Sequence, residues 1–378
     1  MKKFDVAIAG AGLIGGSIAL ELARAGLRVG VFDKQEPGRE ASWAGAGILS
    51  PAPESAAMIP LVTLGKASMA IYPEFVRTVE EISGQSAGYR AAGTLQALFA
   101  RDAREELSTI IALHHGLGLK AEPLNARDAR ELEPSISEEV EAAVLRPEEA
   151  SVDNRALTGA VHEAGRRSGV EFFSGNGAKA IWREGGRCRG LVLQNEKIEA
   201  GWTIVAAGCF SASIEGAAVY APVKPAKGQM VSLRADELKI ERVLWSENIY
   251  LVPRNDGRIL AGATVEHAGF DRKVTAGGIE KILTATIELA PGLAAARIEE
   301  TWAGLRPDSP DHLPILGPTE LEGLLIATGH FRGGILLTPI TARLVCEWVT
   351  QGRVNVDWER FSPMRFQTDS AHGAPASA

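Results

Sequence analysis

The sequence predicts an α/β fold in which a parallel sheet flanked by helices is joined to an α+β region with a mainly antiparallel sheet. Three observations carry this. The first 33 residues read strand, helix, strand. Apolar strands ending in or near glycine recur at Trp202–Gly208 and Leu324–Thr328. Residues 220–265 alternate polar and apolar like antiparallel strands. The parallel elements stand at both ends and in the middle, so two domains are expected, each discontinuous. The first spans 1–84, 148–218 and 300–366, and the second 85–147 and 219–299. The small, polar stretch 367–378 is expected to be a disordered tail. A chain of 378 residues suits this division.

Phe4–Ala9 is a short apolar run, as a buried parallel strand requires. Ser17–Ala25 is rich in Ala, Leu and Glu, and Gly26 stops this helix. Arg28–Asp33 is the next strand, which implies a right-handed parallel crossover. Residues 35–57 read as loop. Leu61–Ser83 reads as a helix with a kink or break at Pro73. A strand at Leu95–Ala100 and helices at Asp102–Leu117 and Asn125–Leu132 follow. Asp153-Asn154 caps a helix to about Ser168, and a strand lies near Val170–Phe173. Residues 178–206 read as three short strands with turns at Gly185-Gly186 and Gly201. Strands at Gln229–Leu233, Ile249–Pro253 and Ile259–Gly262 precede a helix at Gly277–Leu289. Ile335–Thr350 is the closing helix.

Composition and charge bound the function class. The 47 acidic residues outweigh 40 basic ones for a formal charge of −7, so nothing suggests a nucleic-acid footprint. No apolar run approaches the ~18 residues of a membrane span. Asp5 and the glycines from Gly10 interrupt any signal-peptide core behind Lys2-Lys3, so a cytoplasmic protein is expected. Cys188, Cys209 and Cys346 are widely spaced and read as buried small residues. The seven histidines, at 114, 115, 162, 267, 312, 330 and 372, lack metal-ligand spacing.

Gly10-Ala11-Gly12-Leu13-Ile14-Gly15 is a G-x-G-x-x-G between a strand and a helix. Gly10 permits a tight turn, Gly12 lets backbone approach a pyrophosphate, and Gly15 lets helix pack on strand. The helix start offers its N–H groups to phosphates. Asp33 ends the second strand 18 residues after Gly15, placed for ribose hydroxyls. Together these point to a Rossmann-like dinucleotide-binding domain. They leave NAD and FAD open. Glu40–Leu49 is small and glycine-rich around Trp43, like backbone laid against a flat ligand. With Gly208 and the 329–334 loop, the chain returns to the ligand three times, which favours a buried flavin. Arg306 sits in the apolar Trp302–Pro307 stretch, where a buried guanidinium needs an internal carboxylate or a ligand anion. Alternation puts Tyr250 and Val252 on one face and Ile249 and Leu251 on the other. An ordinary sheet tyrosine fits that pattern too.

The chain resembles the D-amino acid oxidase and glycine oxidase group of FAD-dependent amino-acid oxidases, most of all the glycine oxidases of thiamine biosynthesis. The fingerprint, Ala41–Gly47, Thr301–Pro307 with Asp311 and Pro314–Gly317, and Gly329–Pro339 carry the likeness, which runs to about residue 362. The resemblance implies that Leu13, Ile14, Asp33, Lys34, Ala41, Ser42, Ala46, Gly47 and Ile48 line the FAD. The backbone of His330, Phe331, Arg332, Gly333, Gly334, Ile335 and Leu336 does the same, and Ala178 lies near the adenosine. By the same matching, Arg306 pairs the substrate carboxylate, and Tyr250 and Arg332 border the substrate. Val265 aligns where some relatives carry Met, which would set pocket size. The helix after Gly333-Gly334 would aim its positive end at the reduced flavin. No cysteine stands in Leu305–Asp308, where relatives with attached flavin carry theirs, so FAD is expected to be non-covalent.

The expected reaction is oxidation of glycine by hydride transfer to the flavin, giving glyoxylate, ammonia and hydrogen peroxide. Dioxygen is the acceptor, and the imine could pass to thiazole synthase. A homo-oligomer is expected. Tyr250 is expected to keep an ordinary pKa near ~10 and to orient substrate without acting as a base. The alternatives are a D-amino acid oxidase or dehydrogenase, a sarcosine oxidase-like enzyme, a flavin-binding protein without catalysis, and an NAD-binding module.

Overall fold

The computed structural model describes residues 2–99 and 103–367. The opening strand, helix and strand are Lys2–Ala9, Leu13–Arg24 and Val29–Phe32. Val6 and Ile8 enter one core layer, and Ala7 and Ala9 enter another. Burial on both faces explains why this strand reads as a continuous apolar run. The first sheet runs Ile315–Pro318, Leu324–Thr328, Lys197–Val205, Lys2–Ala9, Val29–Phe32, Glu171–Phe173. Its neighbours are parallel except at Ile315–Pro318, which pairs antiparallel. Helices Leu13–Arg24, Val62–Ser83, Asn154–Arg167 and Thr338–Gln351 cover one face. The meander Ala180–Glu184 and Arg187–Val192 adds to the sheet through antiparallel pairing.

The second sheet runs Arg297–Asp308, Lys224–Arg234, Arg258–Gly262, Tyr250–Pro253, Val243–Trp245, Thr94–Leu98, Ala142–Arg146, Glu122–Asn125. Its neighbours are antiparallel except Val243–Trp245 against Thr94–Leu98. Val231, Leu251 and Ala261 pack with Ile282 of the Ala276–Leu289 helix. Met230, Val252, Leu260 and Trp302 instead face Ala44 and Ala46. The expected alternation therefore holds: Tyr250 and Val252 share the face turned toward the segment 41–49, and Ile249 and Leu251 lie on the other. Parallel sheet, helices and second antiparallel sheet form the α/β class that the sequence predicts.

Several local expectations fail for identifiable reasons. Gly201 makes no turn: Lys197–Val205 runs straight through it, and an added Cβ would meet the Asp5 carbonyl oxygen at 3.1 Å. The glycine marks a close approach of neighbouring strands. Val62–Ser83 is one helix with Pro73 inside it, so there is no break at Pro73. The closing helix begins at Thr338, after a 3-10 turn at Phe331–Gly333, and not beside Gly334. Residues 35–57 contain a short helix, Ala41–Ala44, and a strand, Ile48–Leu49, paired with Ala150–Ser151. The edge strand Glu122–Asn125, exposed and bearing proline, gave no alternating signal. Ala100, Asp102 and the tail beyond 367 lie outside the described residues.

Candidate active site

One cavity of about 900 Å³ runs from the glycine loop to Arg306. This is the upper range for small-molecule sites, ~300–1,000 Å³. At one end the helix Leu13–Arg24 starts against it. Gly10 has φ +107, and a Cβ there would meet the Ala206 carbonyl oxygen at 2.5 Å. A Cβ on Gly15 would meet the Gly10 carbonyl oxygen at 2.0 Å. These two glycines are demanded by the protein's own packing, and Gly15 stands outside the cavity lining. At Gly12 a Cβ would have only the Ser42 hydroxyl within 4 Å, at 3.2 Å. Gly12 thus leaves a bare backbone facing the cavity, the cradle that a pyrophosphate needs. Leu13 and Ile14 line the same end. The Leu13 N–H donates to Ser42 Oγ at 2.8 Å, so this amide is held by the chain itself.

Asp33 and Lys34 follow the second strand into the cavity. The Asp33 carboxylate accepts from Ala11 N–H at 2.7 Å and Gln35 N–H at 3.1 Å. Burial pushes its pKa up despite these bonds. It therefore braces the glycine loop, a role its strand-end position did not disclose. Lys34 stands over the Phe210 ring at 3.0 Å and pairs with Glu40 at 3.3 Å. Ala178 lies on the wall near Lys34, in the loop that follows Glu171–Phe173. Ala41, Ser42, Ala46, Gly47 and Ile48 form a strap along the middle of the cavity. Gly304 lets the second sheet close on it: a Cβ there would stand 2.3 Å from that of Ala44. Trp43 packs edge-on against Trp302 at 5.9 Å, with Arg155 over its face at 3.6 Å. The bare Gly12, the small-residue strap and the cavity's length together accommodate an extended dinucleotide such as FAD.

His330, Phe331, Arg332, Gly333, Gly334, Ile335 and Leu336 all border the cavity. Phe331 has φ 45, a left-handed conformation uncommon outside glycine that clusters at functional sites. His330 is buried, its Nε2 3.1 Å from Thr341 Oγ1, and burial pushes its pKa down to about 4. Arg332 carries an ion pair with Glu54, and burial lowers its pKa.

At the far end, Arg306 reaches in from the strand Arg297–Asp308. Its guanidinium lies against Gly228, where a Cβ would come within 2.3 Å of it. Its Nη1 donates to the Thr264 carbonyl at 3.2 Å. Among the described residues no carboxylate forms an ion pair with it. Tyr250 stands beside it, its hydroxyl 3.4 Å from Met230 Sδ and its ring 5.5 Å from that of Trp245. Burial pushes the Tyr250 pKa up, against the pull of the Arg306 charge, so the expectation of an ordinary value is corrected upward. Val265 does not reach the cavity and is 44% exposed. Met230, from the adjacent strand, lines it instead. The alternation in Gln229–Leu233 gave no reason to choose Met230 over its neighbours. Among the described residues no group of acids, histidines and cysteines is placed to hold a metal. None of their helices is long and apolar enough to cross a membrane.

Known proteins share this fold. The DAO family model, described as "FAD dependent oxidoreductase", matches residues 5–348. The chain is 34% identical over 371 residues to the bifunctional protein ThiO/ThiG of Trichormus variabilis, covering 97% of this chain and 56% of that protein. It thus spans little more than half the length of that relative. It is 32% identical to the glycine oxidase of Geobacillus kaustophilus, over 96% of this chain and 97% of that one. The crystal structure of the glycine oxidase from Geobacillus kaustophilus superposes with a TM-score of 0.91, covering 97% of this chain and 99% of that one. The glycine cradle, the two-sheet fold and these matches place the chain in the DAO family of FAD-dependent oxidoreductases, with FAD as its cofactor.

Proposed function

We propose that this protein is an amino-acid oxidase acting on glycine and similarly small amino acids. Glycine, dioxygen and water would yield glyoxylate, ammonia and hydrogen peroxide. One observation carries the reading: in the same cavity as the cofactor cradle stands a guanidinium whose polar partner is a backbone carbonyl and not a carboxylate. A planar fork of donors suits a substrate carboxylate. The glycine oxidases and the ThiO/ThiG protein among the relatives support it.

In this reading Arg306 pairs the carboxylate and Tyr250 orients the substrate beside it. Met230 and Leu305 supply an apolar wall that limits side-chain size and excludes water. FAD, when bound, would supply the two-electron oxidation, with dioxygen as the final acceptor. Gly12, Ser42, Ala46, Gly47 and the 330–336 backbone would hold it non-covalently, with Asp33 and Ala178 toward its adenosine and Arg332 at the substrate edge. The tyrosine hydroxyl holds its proton, so the α-proton does not pass to it. The first sheet and its helices form the cofactor domain. The second sheet, including residues 300–308, forms the substrate domain. Release of imine to a thiazole synthase, a cytoplasmic place and a homo-oligomer complete the reading; the ThiO/ThiG name supports the first of these.

The test is peroxide production across glycine, sarcosine and small D-amino acids, with anaerobic bleaching of the flavin by each. Glycine should bleach it. A yellow protein that none of them bleaches would overturn the oxidase reading.

A further inference from the structure

The strap at 41–49 is gripped from behind by side chains that do not line the cavity. Asn154 Nδ2 donates to the carbonyls of Ser42 at 2.8 Å and Trp43 at 3.1 Å. The Trp302 indole N–H donates to the Ala44 carbonyl at 3.0 Å. Arg254 Nη2 donates to the Ala46 carbonyl at 2.8 Å and to Asn154 Oδ1 at 2.9 Å. Arg254 follows the strand Tyr250–Pro253 of the second sheet, and Asn154 opens a helix on the first. The two sheets therefore meet through this pair, and the strap lies on it.

Arg254 is only 6% exposed. A buried guanidinium is costly unless oxygens surround it. Its ion pair, Asp153, is 3.7 Å away, farther than the Ala46 carbonyl and the Asn154 amide. The charge is thus spent mainly on fixing backbone. Gly47, next along, lies close on its other neighbour: it has φ +76, a Cβ there would meet the Val152 carbonyl oxygen at 1.9 Å, and its own carbonyl accepts from Val152 N–H at 2.8 Å. A shift of Arg254 would release the Ala46 carbonyl, and Ala46 borders the cavity.

We propose that Arg254, coupled to Asn154, is a positioning residue for FAD: it fixes the Ala46 carbonyl, and so makes cofactor affinity depend on the second sheet. This rests on the reading of the strap as a cofactor surface. The test is titration of apoprotein with FAD, followed by flavin fluorescence, together with melting of the apoprotein. Arg254→Met should weaken FAD binding by about tenfold or more. Arg254→Lys keeps the charge but loses the planar fork, and should weaken it less; it carries the test if the methionine variant does not fold. Adding Asn154→Ala to Arg254→Met should cost less than the two single effects combined, because the pair acts as a unit. A merely structural role would lower apoprotein melting and leave FAD affinity unchanged. Ala46→Val, on the cavity side, separates the two ideas. Wild-type affinity in a folded Arg254 variant, with Ala46→Val impaired, overturns the proposal. Wild-type affinity in both overturns the strap reading and the proposal with it.

Discussion

Replacing Tyr250 with phenylalanine separates orientation from base catalysis. The change keeps the ring that packs 5.5 Å from Trp245 and removes one hydroxyl. That hydroxyl has Met230 Sδ at 3.4 Å, a weak acceptor, so the fold should lose no more than about 1 kcal/mol. Burial raises the Tyr250 pKa above its ordinary value of 10.0 while Arg306 opposes it. The group is neutral throughout the working range, and a neutral phenol cannot take the α-proton. Losing an orienting hydroxyl costs ~1 kcal/mol, a factor of about five. Losing an essential base costs ~10²–10⁴-fold. Anaerobic stopped-flow of flavin absorbance with glycine isolates the chemical step from the oxygen reaction and from product release. Tyr250→Phe should slow it by less than about tenfold. Its pH profile should match the wild type, since no limb below pH ~10 belongs to this residue. A thousandfold loss with FAD bound would refute the reasoning and require that Tyr250 titrate in the catalytic cycle.

Three further outcomes follow from the geometry. Arg306→Ala gives up a bond to the Thr264 carbonyl and its contact with the Tyr250 hydroxyl, and no ion pair among the described residues, so the holoprotein should stay folded and yellow. Its kcat/KM for glycine should fall by ~2–5 kcal/mol of lost ion pairing, and an unchanged value would remove Arg306 from the substrate site. Gly12→Ala should leave a folded apoprotein with weakened FAD binding, whereas Gly15→Ala should lower stability itself, because its Cβ meets the Gly10 oxygen at 2.0 Å. Urea unfolding of the two apoproteins and FAD titration check this, and wild-type FAD affinity in Gly12→Ala would displace the cradle. His162 and His330 are both buried, with pKa values pushed from 6.5 down to about 4. Each is neutral in the fold, so its contribution is present above pH ~6.5 and lost as pH falls toward about 4, at up to ~1.4 kcal/mol per pH unit. Denaturation at pH 7 and pH 5 should show the fall, and His330→Gln should flatten part of it; a pH-independent stability over that window would mean that these rings charge freely.

What the sequence disclosed and what it hid divide along the range of the interactions. The glycine fingerprint was legible because turn, helix start and strand packing are local. Yet its letters do not separate Gly15, needed by the Gly10 carbonyl, from Gly12, bare toward the cavity. Gly15 answers to the fold of its own turn, and only Ser42, brought from elsewhere in the chain, shows what stands beside Gly12. The two faces of Tyr250–Pro253 were legible because alternation is a property of one strand. Met230 was not, since its place beside Tyr250 depends on Arg258–Gly262, which lies between their strands and pairs with both. Val265 failed for the converse reason: alignment supplied a position along the chain, and the backbone beyond Gly262 carries that side chain outward. The same logic applies to Asp33. A carboxylate at the strand end was predicted from spacing, but its bonds to the Ala11 and Gln35 N–H groups already tie it to the glycine turn. An acid that holds the loop through both carboxylate oxygens has little freedom to be replaced by asparagine. In Asp33→Asn one of the two side-chain oxygens that accept from backbone would become a donor facing an N–H, so loop order should fall, and cofactor affinity with it.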